Sequence, residues 1–116
     1  MYTCIASIGK MALSVNPCIT NQQINSLVPN KEFKNEYVYY VLLQITPKIK
    51  STQSNTTLPI INKTEFSKFK IPVPCAVEQT KIANFLSDID IKIETLNTKI
   101  ESTQTFKKGL LQQMFV

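Results

Sequence analysis

The clearest alternation of apolar and polar residues lies in the carboxy-terminal third of this 116-residue chain. Apolar residues recur there at alternating gaps of four and three, which is the seam of a heptad repeat. The seam positions are Ile82, Leu86, Ile89, Ile93, Leu96, Ile100, Leu110 and Met114. No proline follows Pro74, so the pattern predicts one helix of about 38 residues, roughly 57 Å long. We expect the seam to be buried against a second helix, from another chain or from a segment outside this sequence.

Residues 1–74, which we call the head, have a mixed pattern that predicts short strands and one buried helix. Short β-prone apolar runs predict strands at Thr3–Ile8, Met11–Val15, Gln23–Val28 and Phe69–Val73. Helical spacing of apolar side chains predicts a mostly buried helix over Glu36–Ile45. Pro47 is expected to end or kink this helix.

The remaining head segments predict a loop and a short helix. The polar run Ser51–Thr57 is typical of a loop, and Asn62 or Thr64 is placed to cap a helix that runs to Ser67. We therefore expect an α+β fold. It comprises a partial mixed α/β domain over residues 1–74, with its front part missing, followed by one long coiled-coil helix over residues 75–116.

Composition argues against most catalytic and metal-binding functions. The sequence has no histidine, the commonest general base and metal ligand. Cys4, Cys18 and Cys75 fit neither a disulfide framework nor a zinc site, and we interpret them as reduced thiols of a cytoplasmic protein. No charged and apolar leader opens the chain, and the apolar stretch Val38–Ile45 is too short to span a bilayer, so we expect no membrane association.

The excess positive charge lies on the head. Residues 1–77 carry eight lysines against three acidic residues, a net of +5, whereas residues 78–116 carry five lysines and five acidic residues. A basic head beside a neutral helix suits a polyanion such as DNA, and a merely soluble basic surface is the alternative. The absence of arginine removes bidentate guanine recognition by that residue but leaves lysine and amide side chains to read bases.

Two short motifs resemble nucleotide-binding or catalytic sequences but lack required residues. Ser7-Ile8-Gly9-Lys10 has Cys4 where a phosphate-binding loop needs glycine, and Met11 where it needs serine or threonine. Asn16-Pro17-Cys18 lacks the second proline and the aromatic residue of the Asn-Pro motif of amino-group DNA methyltransferases. No pair of nucleophile and base is left, so we expect a non-catalytic chain.

Amide side chains beside a predicted strand are candidates for reading DNA bases. Asparagine and glutamine bond adenine bidentately in the major groove, while lysines mainly bind phosphate. The candidate DNA contacts are Lys10, Asn21, Gln22, Gln23 and Lys63. The alternative is that these amides bond the backbone of their own loops.

An ordered series of motifs resembles the specificity (S) subunits of type I restriction-modification systems. Around the long helix the resemblance rests on Ile71-Pro72-Val73-Pro74, Glu78-Gln79, Ile82–Leu86 and Lys107–Phe115. Upstream, the segments similar to the later half of a target recognition domain are Ile5–Lys10, Thr20–Asn25 and Pro59–Lys63. The resemblance covers nearly the whole chain.

The resemblance implies DNA recognition without catalysis. In that family each globular domain reads one half of a split DNA site, and long conserved helices pair antiparallel as a spacer. Modification (M) subunits bind S-adenosylmethionine and methylate adenine, and a restriction (R) subunit adds ATP-driven translocation and cleavage. The resemblance therefore implies that S-adenosylmethionine, ATP and Mg²⁺ belong to partner subunits. The implied partners are double-stranded DNA, the M and R subunits, and a second helix from another copy or another S subunit.

Three features depart from the family pattern. Cys75-Ala76 stands where the family often has Pro-Leu, and Thr103 and Lys107 occupy seam positions where apolar residues are expected. The chain also holds about half of one recognition domain and one helix, where a complete S subunit has two of each. The alternative function is a coiled-coil interaction module that binds S or M subunits without binding DNA.

Overall fold

The computed structural model describes residues 1–4, 8–52 and 60–115. The elements in chain order are β1 (Tyr2–Thr3), β2 (Ile24–Asn25), α1 (Asn35–Ser51), α2 (Lys63–Phe66) and α3 (Ala76–Met114). This is the α+β fold expected, with one long carboxy-terminal helix. Two compact units are present, Met1–Ala83 and Asn84–Val116. Most of the predicted loop Ser51–Thr57 and part of the Ser7–Lys10 motif lie outside the described residues.

A small antiparallel sheet forms around β1. Tyr2 lies opposite Asn25 and Thr3 lies opposite Ile24, and the other side of Tyr2 makes an isolated antiparallel bridge to Met11. Successive side chains of a strand point to opposite faces. Tyr2, Asn25 and Met11 therefore share the face that packs on the core, while Thr3 and Ile24 share the opposite face.

The strands are shorter than predicted, because side chains of the intervening loops bond the backbone in place of a ladder. The predictions at Thr3–Ile8, Met11–Val15 and Gln23–Val28 were too long within the part of the chain that is described. The Asn21 side-chain oxygen accepts from the Gln23 N–H at 3.1 Å, and the Ser14 hydroxyl bonds the carbonyl of Asn16. Such local bonds compete with strand pairing.

Helix α1 continues past Pro47, so the prediction that it ends near Ile45 was wrong. Proline has no backbone N–H, so α1 lacks the intrahelical bond that residue 47 would otherwise donate. Pro47 is exposed, so its ring does not occupy space in the core. The residues around it hold the helix together. Thr46 donates its hydroxyl to the Leu42 carbonyl at 2.7 Å, and Ile49 is fully buried in the core.

Two apolar clusters pack against α1. The sheet cluster contains Tyr2, Ile8, Ile49 and Ile61, and the helix cluster contains Tyr37, Val41 and Ala83, with Ile71 and Ile82 packed against it. The amino-terminal half of α1 therefore contacts the first turns of α3, and its carboxy-terminal half contacts the sheet. Through these contacts α3 begins as part of the Met1–Ala83 unit.

Between α1 and α3 the structure describes residues 52 and 60–75, which contain the predicted short helix and no strand. Asn62 caps α2 by accepting a 2.8 Å bond from the Glu65 N–H, which confirms the predicted cap. The strand predicted at Phe69–Val73 is absent, since Phe69 and Ile71 instead pack singly against the sheet and helix clusters. None of the helices described is long and apolar enough to cross a membrane.

Candidate nucleic-acid interface

The outer face of the sheet carries Lys10. The Thr3 N–H donates to the Lys10 carbonyl at 3.0 Å, and the Lys10 N–H donates to the Thr3 hydroxyl at 3.0 Å. Lys10 is exposed and lies opposite Thr3, whose side chain points away from the core. The Lys10 ammonium group is therefore positioned to contact a ligand lying on this outer face.

The amide candidates reach the same end of β1 through Cys4. The Cys4 N–H donates to the Gln23 carbonyl at 2.9 Å, and the Cys4 carbonyl accepts from the Ile61 N–H at 3.0 Å. The first contact joins the Asn21–Gln23 turn to β1, and the second joins the segment that leads into Lys63. The backbone of Lys10 therefore bonds Thr3 and the backbone of Gln23 bonds Cys4, while Asn21 and Gln22 belong to the turn that holds Gln23, and Lys63 follows Ile61 by two residues.

Within this group the three amides differ. The Asn21 side-chain oxygen is used within its own turn, accepting from Gln23 as described above. This is the loop-bonding alternative considered for these amides. Gln22 and Gln23 are both exposed, and they are the better candidates for base contacts.

Sequence reasoning missed Lys50, which approaches the Gly9-Lys10 turn from the last turn of α1. A Cβ atom built at Gly9 would lie 3.3 Å from Lys50 Cε, so the Lys50 side chain runs beside the Gly9-Lys10 turn. Lys50 was overlooked because α1 was expected to end near Pro47. The helical spacing of Leu42, Ile45 and Ile49 on both sides of the proline was the signal that the helix continues.

Cys4 has a structural part in this surface. Burial raises the pKa of its thiol above the usual value, so the thiol stays protonated at neutral pH. The Cys4 thiol donates to the Tyr2 carbonyl at 3.4 Å, and its sulfur accepts from the Asn25 N–H at 3.1 Å. A buried, protonated thiol bonded in this way supports the strands and is a poor nucleophile.

Helix α3 presents the second candidate surface, the apolar seam. Within this chain Ile93, Leu96 and Ile100 are 51%, 60% and 54% exposed. The whole predicted seam lies on α3 and comprises Ile82, Leu86, Ile89, Ile93, Leu96, Ile100, Leu110 and Met114. Ile82 also packs against the helix cluster of the head, and Leu86 is half-buried. The seam is therefore most exposed from Ile89 onwards.

Hydroxyl groups along α3 are satisfied within the helix itself. Thr95, Thr98, Ser102, Thr103 and Thr105 each donate to the carbonyl four residues earlier, at 2.8–3.0 Å. Thr103 occupies a seam position, and this bond leaves its methyl group as the part available for packing. Lys107 is the charged residue among the positions of the heptad repeat. It lines a shallow groove together with Leu96, Ile100 and Thr103.

Comparison with known proteins decides the family. A model of the type I restriction modification DNA specificity domain matches residues 1–104. The chain belongs to this family.

Its similarity to individual specificity subunits extends over the same region. The type I restriction enzyme MjaVIII specificity subunit of Methanocaldococcus jannaschii is 31% identical over 110 residues, covering 95% of this chain and 26% of the relative. The MjaIX specificity subunit of the same organism is 30% identical over 118 aligned positions, covering 100% of this chain and 27% of the relative. The HindI specificity subunit of Haemophilus influenzae is 37% identical over 75 residues, covering 62% of this chain and 16% of the relative.

This specificity-family chain spans about a quarter of the length of the two M. jannaschii relatives. No solved structure gives a significant match to it.

Proposed function

We propose that this chain supplies DNA sequence recognition to a type I restriction-modification enzyme and has no catalytic activity of its own. The observation that carries the proposal is the family match over residues 1–104, which includes every candidate contact on the head. Two contacts support it further: Lys50 runs beside the Gly9-Lys10 turn, and the Gln23 carbonyl bonds the Cys4 N–H at the end of β1. Lysines near exposed amides combine phosphate binding with base reading.

In this role the chemistry belongs to other subunits. M subunits would bring S-adenosylmethionine, an R subunit would bring ATP and Mg²⁺, and this chain would position them on a split DNA site. Lys10, Lys50 and Lys63 would bind phosphate, whereas Gln22 and Gln23 would contact base edges.

We further propose that α3 pairs antiparallel with α3 of a second copy, because the seam is symmetric about Thr98. Seam positions at equal distances from Thr98 would face each other across the pair. These layers join Ile82 with Met114, Leu86 with Leu110, Ile89 with Lys107, Ile93 with Thr103, and Leu96 with Ile100. Every seam residue thus meets another seam residue, as the core layers of a coiled coil require.

The two polar seam residues favour this arrangement over a parallel one. A parallel pair in register would bury Lys107 against Lys107 of the second copy, and desolvated like charges repel. The antiparallel register gives Lys107 an isoleucine partner, along which its methylene stem packs while its ammonium group reaches water. Thr103 likewise meets Ile93 with its methyl group.

The DNA part of the proposal is tested by equilibrium binding of the full chain to a library of random duplexes over a series of salt concentrations. We expect affinity to fall with salt, with a log–log slope that becomes shallower by about 0.9 for each phosphate contact removed. Lys10→Ala and Lys50→Ala should each lower the slope in this way. Gln22→Ala with Gln23→Ala should change the selected sequence while the slope stays the same.

Lys92→Ala is the matched control, since this exposed lysine lies on α3, away from the candidate contacts. A salt slope equal in Lys10→Ala, Lys50→Ala and Lys92→Ala would contradict the assigned phosphate contacts. An unchanged sequence preference in the double glutamine variant would contradict base reading.

The second candidate function is a pairing module that captures S or M subunits without binding DNA. The shortness of the described sheet, whose two strands have two residues each, favours it, because such a sheet offers few positions for base contacts. Self-association of the chain with no measurable duplex affinity at low salt would support this alternative over DNA recognition.

A further inference from the structure

A buried glutamine joins the first turn of α3 to the head. Gln79 is 2% exposed, and Ala83, one turn later, is fully buried. Burying an amide away from water is unfavourable unless its donors and acceptor are bonded. The environment of Gln79 therefore has to supply hydrogen-bond partners.

Three backbone groups supply these partners. The Gln79 side-chain oxygen accepts from the Lys34 N–H at 3.0 Å. Its Nε2 group donates to the Pro74 carbonyl at 3.0 Å and to the Glu32 carbonyl at 3.3 Å. Both amide hydrogens and one lone pair are used, and we call this set of contacts the Gln79 clamp.

The clamp connects the beginnings of two helices. Lys34 is the N-cap residue of α1, and no side chain caps that end, so Gln79 from α3 satisfies the Lys34 N–H instead. Pro74 is the last proline before α3. A second hydrogen bond joins the same two segments, because the Tyr37 hydroxyl donates to the Pro72 carbonyl at 3.0 Å. The start of α3 is thus bonded to both chain segments that adjoin it.

Few other side chains can replace glutamine at this position. Glutamate offers the acceptor but no donor for the two carbonyls, and methionine of similar length offers neither. Asparagine is shorter by one methylene group and cannot span the same three backbone atoms. Two donors and one acceptor at this reach are a property of the glutamine amide.

We propose that Gln79 is a positioning residue that sets the spacing between the two DNA half-sites, an inference that rests on the proposed function. By bonding the start of α3 to the head, it removes bending freedom at the junction between the DNA-contacting part and the spacer. α3 has 39 residues and is about 58 Å long. A tilt of about 10° at one end of a rod of that length moves the other end sideways by about 10 Å, so a small change of angle at this junction changes where the second half-site is read.

The test uses selection of bound duplexes from a random library by the full chain, followed by sequencing of the selected DNA. We expect the wild-type chain to select two half-site sequences at one spacing. Gln79→Met should select the same half-sites at more than one spacing, because the clamp is lost while the DNA contacts are kept. Thr80→Ala is the matched control on the same helical turn, since Thr80 is exposed and bonds only the Ala76 carbonyl of its own helix.

Gln79→Glu provides a second measurement if Gln79→Met does not fold. A buried glutamate facing two carbonyl oxygens has its pKa raised in the folded state. Its protonated form restores one donor, so its stabilising contribution is present at low pH and is lost as pH rises through the folded-state pKa. We expect Gln79→Glu to select one spacing near pH 5 and several near pH 8, while the wild type selects one spacing at both.

The outcomes separate this inference from the proposed function. Wild-type chain that selects no sequence at all would overturn the proposed function and the inference with it. Wild-type chain that selects one spacing, together with Gln79→Met or Gln79→Glu chains that select the same single spacing at every pH, would overturn the role of Gln79 alone.

Discussion

At the scale of single residues, the Gly9 turn packs closely against Thr46 of α1. Gly9 has a φ of +88°, and a Cβ atom there would clash with Thr46 Cγ2. Thr46 is itself held by its bond to the Leu42 carbonyl and lies 3.3 Å from the Tyr2 hydroxyl. The threonine has little freedom to move away, so the turn that presents Lys10 depends on glycine.

Gly9→Ala should lower the free energy of unfolding by about 2–4 kcal/mol, from the positive φ together with the clash against Thr46. Denaturant unfolding followed by circular dichroism measures this change. Gly109→Ala is the control, because Gly109 lies in α3 with nothing within 4 Å of an added Cβ. That control should be stabilised by about 1 kcal/mol, since alanine favours helix more than glycine does. Equal effects of the two substitutions would contradict the described turn.

Tyr37 makes the stability of the head sensitive to alkaline pH. Burial raises the pKa of Tyr37 above 10.0, and the negative charge of Glu78 raises it further. Its stabilising contribution is therefore complete below pH 10 and is lost as pH rises through the folded-state value. Burial also raises the pKa of Tyr2, which adds to the same loss.

Tyr37→Phe should show a smaller loss of stability between about pH 9 and pH 11 than the wild type, because the buried phenol no longer ionises. At neutral pH it should be less stable by about 1 kcal/mol, because the Pro72 carbonyl loses its hydrogen bond. Urea unfolding at the two pH values measures both effects. Tyr39→Phe changes a half-buried tyrosine of the same helix and leaves the bond to Pro72 in place, so it should not cause the loss at neutral pH. An identical pH dependence in all three proteins would contradict the account.

At the scale of elements, the helices followed from the sequence and the strands did not. The α3 seam is a long periodic pattern that no local contact opposes, so both its existence and its bounds were predictable. The strands depend on bonds from loop side chains such as Asn21, which periodicity does not report. The end of α1 was misjudged because burial of Ile49 outweighs the local effect of Pro47.

The candidate site, like the fold, was only partly predictable from the sequence. Chemistry alone selected Lys10, Gln22 and Gln23, and the structure bonds the backbone carbonyls of Lys10 and Gln23 to Thr3 and Cys4 at the end of β1. Lys50 was missed, because its position beside Gly9 depends on the continuation of α1. Two of the three bonds of Gln79 join segments more than forty residues apart in sequence, and no local pattern indicates such partners.

The register proposed for α3 is tested by cross-linking in a background in which Cys18 and Cys75 are replaced by serine. Asn97→Cys lies beside the symmetry axis at Thr98, so two copies should be joined by a short bismaleimide. Gln104→Cys occupies the same face of the helix. In the antiparallel pair, position 104 of the second copy would lie about 18 Å away along the helix axis, so no cross-linked dimer is expected. Equal cross-linking at both positions would contradict the antiparallel register.

At the scale of the whole molecule, charge and apolar surface are divided between two parts of the chain. The net charge of +5 lies in residues 1–77, and the longest series of exposed apolar side chains lies on the balanced helix α3. The proposed electrostatic attraction to DNA and the proposed burial of apolar surface against a second helix would therefore act at separate sites. Substitutions at one surface should leave the other function intact.

Sedimentation equilibrium of the full chain tests the central claim, that the seam of α3 is buried against a second α3. We expect a mass of twice 13.2 kDa at micromolar concentration. Leu96→Lys, which puts a charge into a central layer, should reduce the mass to that of one chain. Thr98→Lys, on the outer face of the same turn, should leave the doubled mass unchanged. A mass of 13.2 kDa for the wild-type chain at every concentration, or equal masses for the two lysine variants, would contradict the account.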